Sequence, residues 1–193
     1  MDADSWDRRY AETELVWSAE PNRFVADELG DLPPGTAVDL AAGEGRNALW
    51  LAGLGWRVTA VDFSAVALDK GRRIARARDL DVTWVRADLA DYQPAPADLV
   101  LIAYLHVPPA LWQRVLRAAV GAVAPGGTLL LVGHDATNLT EGTGGPQDLE
   151  RLWSVDDIVP ALDGLTVERA EWVRRPVGGR DAIDTLVRAR RPA

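Results

Sequence analysis

Two glycines, Gly43 and Gly45, follow a short apolar run and stand between two carboxylates, Asp39 before them and Asp62 at the end of the next apolar run. Glycines after a strand let the backbone approach a ligand closely, and an acid at the end of the following strand can accept from both hydroxyls of a ribose. From Thr36 to Ser64 the chain reads strand, glycine loop, helix, strand, acid. Gly43-x-Gly45-x-x-Ala48 formally fits the dinucleotide pattern, with Asp62 near the expected spacing of about 20 residues. A third acid, Asp88, is followed by Leu89 at the end of another apolar stretch. The only imidazoles, His106 and His134, each follow a run of strand length, and imidazole is the side chain that ordinarily titrates near neutrality.

Composition narrows what these residues can do. The chain has 193 residues, 48% hydrophobic and 26% charged, which predicts one soluble domain, 1–193, able to bury a substantial core. A net charge of −8 argues against a surface that grips nucleic acid through its phosphates. Cysteine is absent, which removes thiolate nucleophiles and cysteine-held zinc, and two histidines are too few for a histidine-rich metal centre, so no metal is expected. No apolar run reaches the roughly 18 residues of a membrane helix, and the N-terminus is polar and acidic where a leader would be basic and then apolar. The expectation is a cytoplasmic protein with no membrane partner, monomeric or homodimeric.

The elements that must position these groups can be read in order. Residues 1–35 form a helical lead-in, with Asp4 or Ser5 capping a helix that carries Trp6 and Tyr10. Pro21 is placed in the first turn of a second helix that Gly30 stops. Leu15-Val16-Trp17-Ser18 is either a packing anchor or part of a lid. Strands are expected at Thr36–Leu40, Arg57–Val61, Asp81–Arg86, Asp98–Tyr104 and Thr128–Val132. The fourth is continuously apolar, as a parallel strand covered on both faces should be. Between the second and third strands, Ser64 caps a helix that runs to Arg78, with Val66, Leu68 and Ile74 inward and Lys70, Arg72, Arg73, Arg76 and Arg78 outward. A helix from Ala110 to about Val123 follows the fourth strand. Ala136–Asp148 has no periodicity and is expected to be a functional or mobile loop. Leu165–Arg174 and Ala182–Arg190 are two strands joined by a turn rich in glycine.

Strands that alternate with helices give an α/β, Rossmann-like, mostly parallel sheet with helices on both faces, because parallel neighbours need crossover connections. The last two strands have no helix between them, so the seven-stranded sheet closes with an antiparallel C-terminal hairpin. Ligands of such sheets sit outside the carboxyl ends of the strands. Both histidines and several carboxylates fall there.

Three features favour S-adenosyl-L-methionine over a nicotinamide dinucleotide. Asp39 would oppose an anionic pyrophosphate but suits a ligand with an ammonium and a sulfonium, and a buried carboxylate needs such a partner or a hydrogen-bonded network. Asp88-Leu89 offers an acceptor for an adenine amino group and an apolar face for its ring. The closing hairpin departs from a doubled dinucleotide fold. With these residues in view, Asp39-Leu-Ala-Ala-Gly43-Glu-Gly45-Arg46-Asn47 together with Asp62-Phe63-Ser64 resembles the cofactor signature of class I S-adenosylmethionine-dependent methyltransferases. Gly45-Arg46-Asn47 is similar to the small-molecule branch that includes tellurite-resistance methyltransferases, and Trp6-Asp7-x-x-Tyr10 with Trp17 is similar to the lead-in of thiol and halide methyltransferases. Ala41 departs from the pattern, which often has glycine there.

The resemblance implies cofactor contacts at Trp17, Asp39, Ala41, Gly43, Glu44, Gly45, Arg46, Asn47, Asp62, Phe63, Ser64, Asp88, Leu89, Ala103 and Tyr104. Among them Phe63 and Leu89 would sandwich the adenine, Asp88 would take its amino group, and Ala103 and Tyr104 would border the sulfonium. His106, Tyr104 and His134 are the candidate catalytic residues. The expected function is methyl transfer to a small soft or anionic acceptor such as a tellurium or selenium oxyanion, a thiol or a halide. O- or N-methylation of a small metabolite with His106 as base is the alternative, followed by an NAD-dependent oxidoreductase or a cofactor-binding protein without catalysis.

Overall fold

The computed structural model describes residues 3–16 and 18–193; Trp17, expected at the cofactor and in a lid, lies outside the described residues. Residues 1–93 and 94–193 form two compact units. The first contains α1 (Ala3–Ala11), α2 (Arg23–Leu29), β1 (Thr36–Leu40), α3 (Arg46–Gly53), β2 (Arg57–Asp62), α4 (Ala65–Ala77) and β3 (Val82–Arg86). β2 pairs in parallel with β1 and with β3. Its core is made by Val25 and Leu29 of α2, Leu40, Leu51, Ala60, Val61 and Leu68, each at most 1% exposed.

Caps set the helix starts. The Asn22 side chain accepts from the Phe24 and Val25 amides, which leaves Pro21 outside α2 and not in its first turn. Ser64 caps α4 by accepting from the Ala67 amide. Lys70 of α4 does not point outward as expected. It lies on the same stripe as Ala67, Gly71 and Ala75, is 9% exposed, and donates to the carbonyls of Tyr10 and Thr13 and to Glu44 Oε1. An aliphatic stem lets a lysine lie along an apolar face provided its ammonium finds acceptors, and here those acceptors come from the lead-in.

The second unit contains β4 (Ala97–Ala103), α5 (Pro109–Ala122), β5 (Val123–His134), α6 (Asn138–Glu141), α7 (Val155–Ile158), β6 (Thr166–Val177) and β7 (Arg180–Arg190), with short 3-10 turns at Leu149–Arg151 and Val159–Ala161. β4 and β5 are parallel, and β7 runs antiparallel to both β5 and β6. Gly178 and Gly179, at φ 57° and 83°, close the hairpin in the two-residue left-handed turn that matches strand twist. The seven-stranded sheet has the order β3-β2-β1-β4-β5-β7-β6. Leu99, Val100, Leu101 and Ile102 of β4 are all fully buried, as their continuous apolar run requires.

The region after β5 is more ordered than its composition suggests. Asn138, 3% exposed, accepts from the Ile183 amide and donates to the Gly144 carbonyl, which ties the loop to β7. Among the described residues no helix is long and apolar enough to cross a membrane.

Candidate functional site

At the end of β1 the backbone turns through three left-handed residues, Ala41 (φ 62°), Gly43 (φ 58°) and Gly45 (φ 80°). The Ala42 amide donates to the Val61 carbonyl and the Gly45 amide to the Ala42 carbonyl, which fixes the loop beside β2. Asp62 completes it. Its Oδ2 accepts from the Gly43 amide at 2.8 Å and its Oδ1 from the Ser64 amide at 2.9 Å. Burial raises the Asp62 pKa against these backbone donors, and each oxygen retains lone-pair capacity for a further donor. The glycine-favouring backbone at Ala41 explains why the related pattern often carries glycine at that position.

Asp39 is 1% exposed, and its Oδ2 has no hydrogen-bond partner. Burial, with Asp62 adding to it, pushes its pKa up to about 7, while Arg46 and the Ala48 amide oppose the shift. An orphaned buried carboxylate oxygen beside a glycine loop fits a ligand that brings a cationic group.

Several neighbours expected at the cofactor do structural work with their side chains. Glu44, 3% exposed, accepts from the Val16 amide through both oxygens and from Lys70 Nζ at 3.1 Å. Asn47 accepts from the Asn22 amide at 2.9 Å. Ser64 Oγ donates to Asp7 while capping α4. Arg46 is half-buried, as are Phe63 and Leu89, whereas Asp88 is exposed and accepts from the Ala90 amide, the local turn of a carboxylate at a strand end. Trp84, which sequence reasoning missed, covers the loop from β3: a methyl on Gly45 or on Gly71 would overlap its indole. The signal was there, since the two glycines leave room for one large side chain.

The second unit brings Tyr104, His106 and His134 together. Tyr104, at φ 59° just past β4, lies 5.1 Å from the His134 ring and 6.2 Å from the His106 ring, and the two imidazoles stack at 5.3 Å. Trp153 continues the group at 5.6 Å from His106 and stacks on Trp112. His106 Nδ1 is 2.8 Å from the Arg151 carbonyl, so Nδ1 carries the proton, and Nε2 accepts from the His134 amide. Burial lowers its pKa to about 4, with the Arg151 carbonyl opposing. Both ring nitrogens are therefore engaged by the backbone in this structure.

Asp184, missed in the sequence, lies at the centre of this group with its side chain fully buried. Its Oδ2 accepts from the Tyr104 hydroxyl at 2.7 Å and from Arg175 Nε at 2.9 Å, and its Oδ1 lies 3.1 Å from His134 Nδ1 with off-line hydrogen-bond geometry. Burial pushes the Asp184 carboxyl up, but His134, Arg175 and Tyr104 outweigh it and hold the pKa below its ordinary value. Burial, then the Asp184 charge, raises the Tyr104 phenol, which keeps its proton. Ala103 is half-buried beside it. No group of three or more metal-ligating side chains occurs among the described residues.

Residues 37–127 match the family described as methyltransferase domain. The release factor glutamine methyltransferase of Chlorobaculum tepidum is 36% identical over 110 residues, a match covering 52% of this chain and 37% of that protein. The chain thus spans little more than a third of the length of that curated relative. Among solved structures, TehB from Haemophilus influenzae superposes with a TM-score of 0.77 at 16% identity, over 98% of this chain and 66% of that one. The N-methyltransferase NodS from Bradyrhizobium japonicum WM9, in complex with S-adenosyl-L-homocysteine, gives 0.76 at 16%, over 99% and 98%. At such identities the structural likeness speaks to the fold alone. Strand order, glycine loop and acid-tipped strands agree with that match, and the sheet is the Rossmann-like fold of class I methyltransferases.

Proposed function

We propose that this chain transfers a methyl group to a small acceptor that arrives already nucleophilic: a tellurium or selenium oxyanion, a thiol or a halide. The observation that carries this reading is the commitment of His106, whose two ring nitrogens are held by the Arg151 carbonyl and the His134 amide. A neutral imidazole without a free nitrogen removes no proton, and a raised Tyr104 phenol removes none either. S-adenosylmethionine, when bound, supplies a methyl group on a sulfonium, already a good electrophile. The chain's own part is to align and to exclude water, and proximity with orientation can lower a barrier by about 7–11 kcal/mol.

In this reading Gly43 and Gly45 let the backbone pass close to the methionine part, and the unpartnered oxygen of Asp39 faces its ammonium. Asp62 accepts from the ribose hydroxyls with the lone pairs left by Gly43 and Ser64. Phe63, Asp88 and Leu89 hold the adenine, and Tyr104 with His134 handles the acceptor.

One observation favours a second reading, O- or N-methylation of a small metabolite. Asp184 faces His134 Nδ1, the placement that orients an imidazole for general-base work, and Nε2 of His134 has no hydrogen-bond partner among the described residues. The base would then be His134 and not His106. Methyl transfer by purified protein across selenite, tellurite, thiol, iodide and phenol acceptors separates the two. Transfer to the soft or anionic set, changed less than about threefold in His134→Asn, is expected; transfer confined to phenols or amines and abolished by that substitution would overturn the first reading.

A further inference from the structure

The guanidinium of Arg175 is half used. Its Nε is shared between the Tyr104 hydroxyl at 3.1 Å and Asp184 Oδ2 at 2.9 Å, while neither Nη has a hydrogen-bond partner among the described residues. The group is held in place on both sides: the carboxylate it faces is fully buried, and its Cζ lies 5.5 Å from the Tyr104 ring centroid. At 25% exposure the Arg175 side chain is neither sealed in the core nor free in solvent.

A guanidinium fixed through Nε and open at both Nη groups presents the paired donors that match two oxygens of one anion. We infer that Arg175 is an anion-recognition residue beside Tyr104, and that the acceptor handled by this group of side chains carries an oxyanion or carboxylate. Asp184 is the positioning residue: it takes Nε, holds Tyr104, and so aims the remaining donors. Arg175 neutralises Asp184 as well, but that task uses only Nε and leaves the Nη donors unexplained. This inference rests on the methyltransferase reading for the identity of its ligand, and on geometry within the second unit for the site.

The test uses calorimetry of three probes, selenite, mercaptoacetate and 2-mercaptoethanol, added to protein saturated with S-adenosylhomocysteine. The last two share a thiol and differ in charge. Binding of selenite or mercaptoacetate at least tenfold tighter than 2-mercaptoethanol is expected, with that preference lost in Arg175→Lys and Arg175→Met. Arg175→Lys keeps a cation for Asp184, and thermal melting near that of the wild type identifies it as folded. Binding of both anions no tighter than 2-mercaptoethanol, or a preference undiminished in folded Arg175→Lys, would overturn the inference. Failure of the wild type to bind S-adenosylhomocysteine at all would instead overturn the reading beneath it, and the anion preference, measured again without that ligand, would still decide the role of Arg175.

Discussion

The Lys70 ammonium lies 3.1 Å from the Glu44 carboxylate, with the two side chains 10% and 3% exposed. This pair joins α4 to the glycine loop, and through the Tyr10 and Thr13 carbonyls and the Val16 amide it also anchors the lead-in. Removing one partner of a buried pair leaves an uncompensated charge and costs about 3–5 kcal/mol. Lys70→Met is therefore expected to lower stability by about that amount, and Lys70→Met with Glu44→Leu by less than the single change. Denaturant unfolding of the three proteins checks this, and a single change costing under about 1 kcal/mol would count against it.

Ala41 holds a left-handed backbone at φ 62°. A side chain there costs about 1–2 kcal/mol, and glycine returns about 0.4–1 kcal/mol of that through the freedom of the unfolded chain. Ala41→Gly is expected to raise stability by roughly 0.5–1 kcal/mol, read as an upward shift in the unfolding midpoint with unchanged denaturant slope.

Trp84 closes over Gly45 and Gly71, so each glycine is a packing requirement. Gly45→Ala meets both the indole and a φ of 80° and is expected to cost about 2–4 kcal/mol. Trp84→Leu in the same chain should relieve the overlap but not the backbone strain, leaving a residual loss of about 1–2 kcal/mol, measured by thermal melting.

Asp39 makes stability and binding depend on pH. Its folded pKa, about 7, lies above its ordinary value of 3.8, so the folded chain binds more protons than the unfolded one between these values. Its contribution is full below the unfolded pKa and is lost as pH rises through about 7. Ligand-free Asp39→Asn is expected to exceed the wild type in stability at pH 8, by on the order of 1–4 kcal/mol, and to match it more closely near pH 5. A cationic ligand favours ionised Asp39, so binding near pH 7 should release protons, seen as a dependence of calorimetric heat on buffer ionisation enthalpy. His106 acts in the opposite sense. Its depressed pKa removes stability as pH falls from its ordinary value toward about 4.

Much of the fold was legible because its signals are local. The Gly43–Gly45 loop, the cap at Ser64, the buried run of β4 and the Gly178-Gly179 turn each follow from residues next to one another in the chain. The placement of Asp39 and Asp62 near the ends of β1 and β2 was legible too, since each follows from a local apolar run. The arrangement was illegible where it rests on partners far apart in sequence. Asp184 sits within a strand buried from Ala182 to Val187 and gives no local sign that it will meet His134, set opposite it by the pairing of β5 with β7, and Tyr104, brought in by the pairing of β4 with β5. Lys70 looked like one more cation of an exposed face, because its acceptors lie in the irregular lead-in. His106 looked available as a base, since nothing local shows that a carbonyl at Arg151 and an amide at His134 will take both its nitrogens.

Calorimetry with S-adenosylhomocysteine on the wild type and on Asp62→Ala tests the cofactor cradle most directly. Binding by the wild type, weakened at least tenfold in the variant, is expected, since a charge-assisted hydrogen bond contributes about 1.5–3 kcal/mol and Asp62 also fixes the Gly43 amide at 2.8 Å. No binding by the wild type, or undiminished binding by a folded Asp62→Ala protein, would contradict the account.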